Sequence, residues 1–235
     1  MSENSKQSEK KAAPIFPAAT VVLARNGETG LEVLMVKRQQ KLSSYAGAWV
    51  FPGGKVDQHE QEAHPGDELK AAHLAAVREV AEETGLAIAA DSLRVFSYWL
   101  TPVIRPKRFS TWFFTADCTS VATDAVEVDQ GELSEFQWLS PQKVLEQHQS
   151  GEMELLPPTY ISLSKFSNFS TVDDLMSHVS QVPVDYFRPK MLPLGEEGFC
   201  SLYEGDAGYE AGDVTAEGAR NRLEMRQNSW QYLKS

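Results

Sequence analysis

Apolar and polar residues follow one another along the chain in blocks that predict strands first, then a helix, then further strands and helices. Two apolar runs, at residues 18–24 and 31–36, flank the polar segment RNGETG. Its Asn-Gly pair and second glycine can adopt positive φ, which favours a β-hairpin. The segment GAWVFPGG at 47–54 predicts another short strand, because a proline and two glycines end its apolar run.

The longest helical pattern follows this strand, in the segment GDELKAAHLAAVREVAEETGL. Asp67 is a suitable N-cap, and Gly85 stands where a helix commonly ends in the left-handed conformation. The apolar positions recur at helical spacing: Leu69, Ala72, Ala76, Val77 and Val80.

The remainder of the chain predicts strands at 92–100 and 109–116, a strand in FQWLSP, and a helix that starts at Pro141. Two more helices are expected in LLPPTYISLSKFSNF and TVDDLMSHVSQ, and strands between glycine-rich turns in the last fifty residues. This order predicts an α/β (α+β) sandwich with a mixed sheet and a C-terminal β extension. We expect a disordered tail at 1–13, a main domain at 14–183 and the β-rich extension at 184–235, packed on it.

The charge balance limits the class of partner. With 33 acidic and 22 basic residues the net charge is -11, which argues against a nucleic-acid-binding surface, and IRPKRF at 104–109 is the one short basic cluster. Two widely separated cysteines show no metal-ligand spacing, and no segment resembles a signal peptide or a membrane span. The chain ends in YLKS and not in a peroxisomal SKL. These features favour the cytoplasm without a membrane partner.

A crowded group of glutamates raises the question of chemistry. In REVAEETGL, residues 78–86, Glu79, Glu82 and Glu83 share one helical face. Like charges at this spacing repel, so the face is either a solvated acidic surface, with Arg78 paired to Glu82, or a site for a hard divalent cation.

The spacing upstream of these glutamates resembles the Nudix box, G-x5-E-x7-R-E-U-x-E-E-x-G-U, in which U is aliphatic. Gly54 and Glu60 match its first half, and the segment from Arg78 to Leu86 matches its second. The resemblance implies a Nudix-type α/β/α sandwich and hydrolysis of a nucleoside diphosphate linked to another group. It also implies Mg²⁺ or Mn²⁺ held by the catalytic glutamates 79, 82 and 83 with the Gly54 carbonyl. Structural roles are implied for Gly53, Glu60, Arg78 and Gly85.

One departure from the family pattern is a lengthening inside the box. Seventeen residues separate Glu60 from Arg78, where the pattern has seven. The extra residues include EAHPGD, so we expect a lengthened loop before an unbroken helix. In the family the first glutamate braces this loop against the arginine; here Glu60, Glu68 or no acidic residue could do so.

The interrupted box after FPGG is similar to that of the coenzyme A diphosphatases of peroxisomes and their bacterial relatives. RFSTWFFTA, GELSEFQWLSP and LLPPTYISL resemble segments of that subgroup in the same order. The coenzyme A signature before the box is only partly present, because its histidine is missing. It is the resemblance to this subgroup that implies coenzyme A or acyl-coenzyme A as the substrate. ADP-ribose or NADH is the alternative, and a non-catalytic nucleotide-binding module is the third hypothesis.

Other residues are weaker candidates. Arg38 and Arg108 could contact substrate phosphates, although surface salt bridges are the common role of such arginines. Glu132 is a candidate further ligand or a solvated loop carboxylate. Four aromatic residues could stack a base or fill the core: Phe109, Trp112, Phe113 and Phe114. The sequence leaves the oligomeric state open, and a homodimer is one candidate.

Overall fold

Two β-sheets and five helices make up the described part of the protein. A computed structural model describes residues 13–41, 45–121, 125–129, 131–196, 198–227 and 229–235. The strands are β1 (Ile15–Gly27), β2 (Gly30–Arg38), β3 (Trp49–Val50), β4 (Gly53–Lys55), β5 (Arg94–Leu100), β6 (Arg108–Asp117), β7 (Leu133–Leu139), β8 (Asp185–Phe187), β9 (Lys190–Pro193), β10 (Phe199–Leu202), β11 (Asn221–Arg226) and β12 (Ser229–Lys234). The helices are α1 (Gln58–Ala63), α2 (Glu68–Thr84), α3 (Pro141–Ser150), α4 (Pro157–Phe166) and α5 (Val172–Gln181), and a 3₁₀ turn spans Ala90–Ser92.

The larger sheet is mixed and has β1 near its centre. Its order is β3-β2-β1-β6-β5-β8, with β4 paired to β1 and β7 paired to β2. The pairs β1–β6 and β5–β8 are parallel, and the others are antiparallel. Because β4 lies beside β1, with Gly54 opposite Ala19, the glycine pair is held against the middle of the sheet.

Alternate residues of β1 serve two separate cores, as the two-residue period of a strand requires. Val21 and Leu23 pack in a cluster with the alanines of α2, whereas Val22 packs in a second cluster with residues of α4 and α5. The sheet therefore carries helices on both faces. This confirms the predicted α/β sandwich with a mixed sheet.

Helix α2 carries the acidic segment and forms over the predicted range. The Asp67 side chain accepts a hydrogen bond from the Lys70 N–H at the first turn. Gly85 adopts φ 71° at the C-terminal end and donates its N–H to the Ala81 carbonyl. Small side chains on the buried face let the helix lie close to the sheet.

The segment that lengthens the chain between Glu60 and Arg78 is not the loop that the sequence predicts. Helix α1 (Gln58–Ala63) precedes a link of residues 64–67, and α2 begins ten residues before Arg78. Most of the extra length is thus helical. The expectation of a long loop is wrong because the segment after Asp57 forms a capping box, in which Glu60 accepts the Asp57 N–H at 2.7 Å.

The C-terminal strands confirm the predicted β extension. Strand β8 pairs with β5 in the larger sheet, and β9 to β12 form a second, antiparallel sheet. The Tyr160 hydroxyl on α4 donates to the Trp230 carbonyl on β12. The domain boundaries expected at 13/14 and 183/184 stay predictions, and all but the last residue of the expected tail lies outside the described residues. No described helix has the length and apolar composition that a membrane crossing requires.

Candidate active site

Strand β4 brings the glycine pair within contact distance of the acidic face of α2. A Cβ atom at Gly54 would lie 2.4 Å from Oε1 of Glu79, so a larger residue there would displace that carboxylate from its present position. Gly53 adopts φ 151°, and a Cβ there would lie 2.2 Å from the Ala19 carbonyl. Gly53 is therefore required by its close approach to the neighbouring strand, and Gly54 leaves the space that the Glu79 carboxylate occupies.

Glu83 is the most enclosed of the three glutamates. The residue is 6% exposed, and its Oε2 accepts a hydrogen bond from the Gly53 N–H at 2.8 Å. Burial raises the pKa of the Glu83 carboxyl to about 8, against the opposing effect of the Gly53 hydrogen bond. The charges of Glu79 and Glu132 raise it further, whereas Arg38 lowers it.

Glu79 and Glu82 share the Arg78 guanidinium. Arg78 Nη1 donates to Glu79 Oε1 at 2.8 Å and to Glu82 Oε2 at 2.9 Å. Glu79 is largely buried, and burial raises its pKa, while Arg78 acts in the opposite direction. The Glu82 side chain is 59% exposed. The predicted Arg78–Glu82 pairing is thus present, within a larger ionic network.

Glu60 lies at the buried end of this network. Its carboxylate oxygens accept from Arg78 Nε at 2.9 Å and from Nη2 at 3.2 Å, and the residue is 2% exposed. Nη2 also donates to the Lys55 carbonyl at 2.9 Å. The hydrogen bond to Glu60 is the main reason why the Arg78 pKa is raised. The structure therefore places Glu60, and not Glu68, against the arginine, across the lengthened segment.

Two further predicted residues lie near the glutamates. Arg38 is close enough for its charge to act on Glu83, and its Nε is buried without a hydrogen-bond partner among the described residues. The exposed Glu132 acts on both Glu79 and Glu83 by its charge. Its carbonyl accepts the Gln39 N–H at 2.8 Å, which ties this loop to the end of β2.

The donor chemistry of this group suits a hard divalent cation, which prefers oxygen ligands. Within the described residues, no three side chains of His, Cys, Asp or Glu are arranged to hold a metal ion, and the Arg78 guanidinium lies between Glu79 and Glu82. Glu83 is nevertheless buried and Glu79 is largely buried, and burial raises the pKa of both carboxyl groups, which opposes their ionisation. A cation would favour their ionised forms, so the residues present fit such an ion.

The sequence pattern of the NUDIX domain matches residues 15–157, which include β1, the glycine pair and α2. The chain belongs to the NUDIX domain family. It is 26% identical to the protein called nudix hydrolase 7 of Caenorhabditis elegans, over 82% of this chain and 74% of that protein. It is 32% identical to acyl-coenzyme A diphosphatase NUDT19 of Gallus gallus, over 54% of this chain and 35% of that protein. The chain thus matches about a third of the chicken relative's length.

A solved structure supports the fold. The NUDIX hydrolase from Alicyclobacillus acidocaldarius superposes with a TM-score of 0.63 at 25% identity, over 73% of this chain and 99% of that one. The predicted family and fold class are therefore confirmed, and the protein is an enzyme of the Nudix hydrolase class.

In this Nudix hydrolase an apolar cavity of about 260 Å³ lies on the face of the larger sheet that is opposite α2. Thr20, which lines it, pairs with Gly53 of β4, so the glycine segment separates the cavity from the glutamates. Phe109 and Phe113 also line the cavity, whereas Trp112 and Phe114 pack in the core beneath α2. Two of the four candidate aromatic residues are therefore placed for ligand contact.

The rest of the cavity wall was not predicted from the sequence. It includes residues of the second sheet and of the segment that leads into it: Pro189, Met191, Ser201 and Tyr203. Nothing in the spacing of these residues indicates that they approach β1 and β6. Arg108 does not line the cavity; it is buried, and its Nε donates to the Thr101 carbonyl at 3.0 Å.

Proposed function

We propose that this Nudix hydrolase cleaves the diphosphate of coenzyme A or acyl-coenzyme A with the help of a divalent metal ion. The observation that carries the proposal is the group of Glu79, Glu82 and Glu83 beside Gly54. Glu83 is buried and Glu79 is largely buried, burial raises the pKa of both, and a bound cation would favour their ionised forms.

The three glutamates and the Gly54 carbonyl would hold Mg²⁺ or Mn²⁺. Such an ion, when bound, neutralises diphosphate oxygens and lowers the pKa of a water ligand. Arg78 holds Glu79 and Glu82 in place from the protein side, and Glu60 fixes Arg78. Which glutamate accepts the proton of the attacking water stays open.

The reaction adds water across the phosphoanhydride. A P–O bond forms to the water oxygen, the bridging P–O bond breaks, and the leaving phosphate takes up the electron pair. With coenzyme A the products are 4'-phosphopantetheine and adenosine 3',5'-bisphosphate. Arg38, whose charge acts on Glu83 and whose Nε has no hydrogen-bond partner among the described residues, is a candidate to contact the diphosphate. Arg108 stays a weaker candidate, because its Nε is already engaged by the Thr101 carbonyl.

The choice of coenzyme A is supported by the relative named acyl-coenzyme A diphosphatase and by the apolar cavity beside Gly53. ADP-ribose and NADH are the alternative substrates within the same chemistry. A non-catalytic nucleotide-binding module is the alternative from another class, and the complete set of glutamates speaks against it. A cytoplasmic location and a homodimer stay predictions.

The glutamate assignment is tested with Glu82→Gln and Glu83→Gln. Each variant should lose at least about a hundredfold of metal-dependent turnover, since a neutral amide replaces a carboxylate at the charge centre. Initial rates with coenzyme A, ADP-ribose and NADH, measured with Mg²⁺ or Mn²⁺ and with identification of both products, give the comparison.

Glu62→Gln, on the exposed face of α1, is the matched control and should keep wild-type turnover. Mn²⁺ should raise the melting temperature of the wild type and of the control, but not that of Glu83→Gln. Unchanged turnover in both site variants would refute the metal assignment. Fast cleavage of ADP-ribose without any cleavage of coenzyme A would refute the substrate assignment alone.

A further inference from the structure

Two lysines converge on one aromatic pair at the edge of the cavity. Lys55 Nζ lies 5.1 Å from the centroid of the Phe16 ring, and Lys107 Nζ lies 5.9 Å from the same ring. Lys107 Nζ also lies 5.4 Å from the Phe109 ring, whose centroid is 6.1 Å from that of Phe16. We call Lys55, Lys107, Phe16 and Phe109 the lysine patch.

The ammonium groups of the lysine patch lack acidic partners among the described residues. The described lysines that do pair with a carboxylate are Lys37, Lys70, Lys143, Lys165, Lys190 and Lys234. Cation–π contacts stabilise an exposed ammonium only weakly, and two like charges at one ring repel. The patch is therefore a surface on which an anion would be stabilised.

The lysine patch is continuous with both parts of the candidate active site. Lys55 directly follows Gly54, and its carbonyl accepts Arg78 Nη2 at 2.9 Å, so the backbone of the patch is fixed to the ionic network. Phe16 pairs with Phe109 in the β1–β6 register, and Phe109 lines the cavity. A ligand in the cavity therefore lies beside Phe109, which Lys107 also contacts, and beside Thr20, the strand partner of Gly53.

We propose that Lys55 and Lys107 bind a phosphate monoester of the substrate, separate from the diphosphate that is cleaved. This inference rests on the proposed function and names the feature of the substrate that the enzyme selects. Lysine ammonium groups bind phosphate as point charges, and two of them match a dianion. Coenzyme A carries such a group as its 3'-phosphate, whereas ADP-ribose and NADH carry only the diphosphate.

The test compares coenzyme A with 3'-dephospho-coenzyme A, which differ only in that phosphate. The wild type should show about tenfold or greater kcat/KM for coenzyme A. In Lys55→Gln/Lys107→Gln the ratio should fall to about one, through loss of coenzyme A cleavage alone. Lys55→Arg/Lys107→Arg keeps both charges and should retain the preference, and Lys143→Gln, an exposed lysine on α3, should behave as wild type.

A binding measurement separates this inference from the proposed function. Calorimetry of the metal-free protein should give tighter binding of adenosine 3',5'-bisphosphate than of AMP, and the double glutamine variant should lose the difference. Lysine-dependent binding without cleavage of coenzyme A would refute the proposed function and leave the inference standing. Cleavage of both coenzyme A forms at equal rates by the wild type, or equal losses for both in the double variant, would overturn the inference.

Discussion

At the scale of single residues, Glu83 is an ionisable carboxyl group in a buried position. The residue is 6% exposed, and burial raises its pKa to about 8. One backbone N–H and the nearby Arg38 only partly offset the loss of hydration. The buried Glu83 carboxyl therefore lowers the stability of the metal-free fold. This is expected where a site is organised to bind a ligand.

Glu83→Gln should therefore stabilise the metal-free protein while it removes activity. A raised folded-state pKa means that the folded wild type binds more protons than the unfolded chain between pH ~4.5 and pH ~8. The free energy of unfolding of the wild type should fall as the pH rises through that window, and that of the variant should fall less. At pH ~8 the variant should be more stable by about 1 kcal/mol or more.

Chemical denaturation at the two ends of the window measures this effect. Glu62→Gln should follow the wild-type pH dependence, because its carboxylate is exposed. A Glu83→Gln variant that is less stable than the wild type at pH ~8 would mean that the carboxylate is already compensated in the metal-free fold.

At the scale of elements, α1 and α2 act together through one ion pair. Asp67 and Gly85 at the ends of α2 were recognisable from the sequence, because caps depend on local residue types. The helical form of the segment inserted between Glu60 and Arg78 was not recognisable, because its turn-like composition also suits a loop. Glu60 stabilises the helical form, because it closes the capping box of α1 and accepts a hydrogen bond from Arg78, 18 residues away.

Glu60→Gln should lower the free energy of unfolding by about 3 kcal/mol, because it leaves the Arg78 guanidinium without its buried partner. Turnover should fall as well, since Arg78 holds Glu79 and Glu82. Urea denaturation and initial rates measure the two effects. Glu68→Gln is the control, an exposed residue in the first turn of α2, and should cost less than about 1 kcal/mol. An equal loss in both variants would contradict the bracing role of Glu60.

At the scale of the whole molecule, the second sheet supplies part of the cavity wall and has its own buried ion pair. Asp206 accepts from Arg222 Nη2 at 2.6 Å and Nε at 2.8 Å, and both side chains are enclosed. The same carboxylate accepts the N–H groups of Asn221 and Gly208. Although burial opposes its ionisation, these donors hold the pKa of Asp206 at about 2.

Asp206→Asn should destabilise the protein by about 3 kcal/mol at neutral pH, because Arg222 stays buried without its counter-ion. A depressed pKa contributes stability above the unfolded value, about 4, and loses it as the pH falls towards 2. The variant should therefore lack this part of the acid sensitivity. Denaturation curves between those pH values measure this loss, with Asp91→Asn, at an exposed residue of the 3₁₀ turn, as control. Equal acid sensitivity in Asp206→Asn and the wild type would contradict the assignment.

The sequence by itself determined most of the helices and strands, but not α1, together with the family and the residues of the acidic group, because these depend on local pattern and on spacing along the chain. The tertiary structure decided which residues from distant parts of the chain come into contact. The Glu60–Arg78 pair, the cavity between β1, β6 and the second sheet, and the convergence of Lys55 and Lys107 on Phe16 all join distant segments. Such contacts depend on strand register and on how the layers pack, which no local pattern encodes.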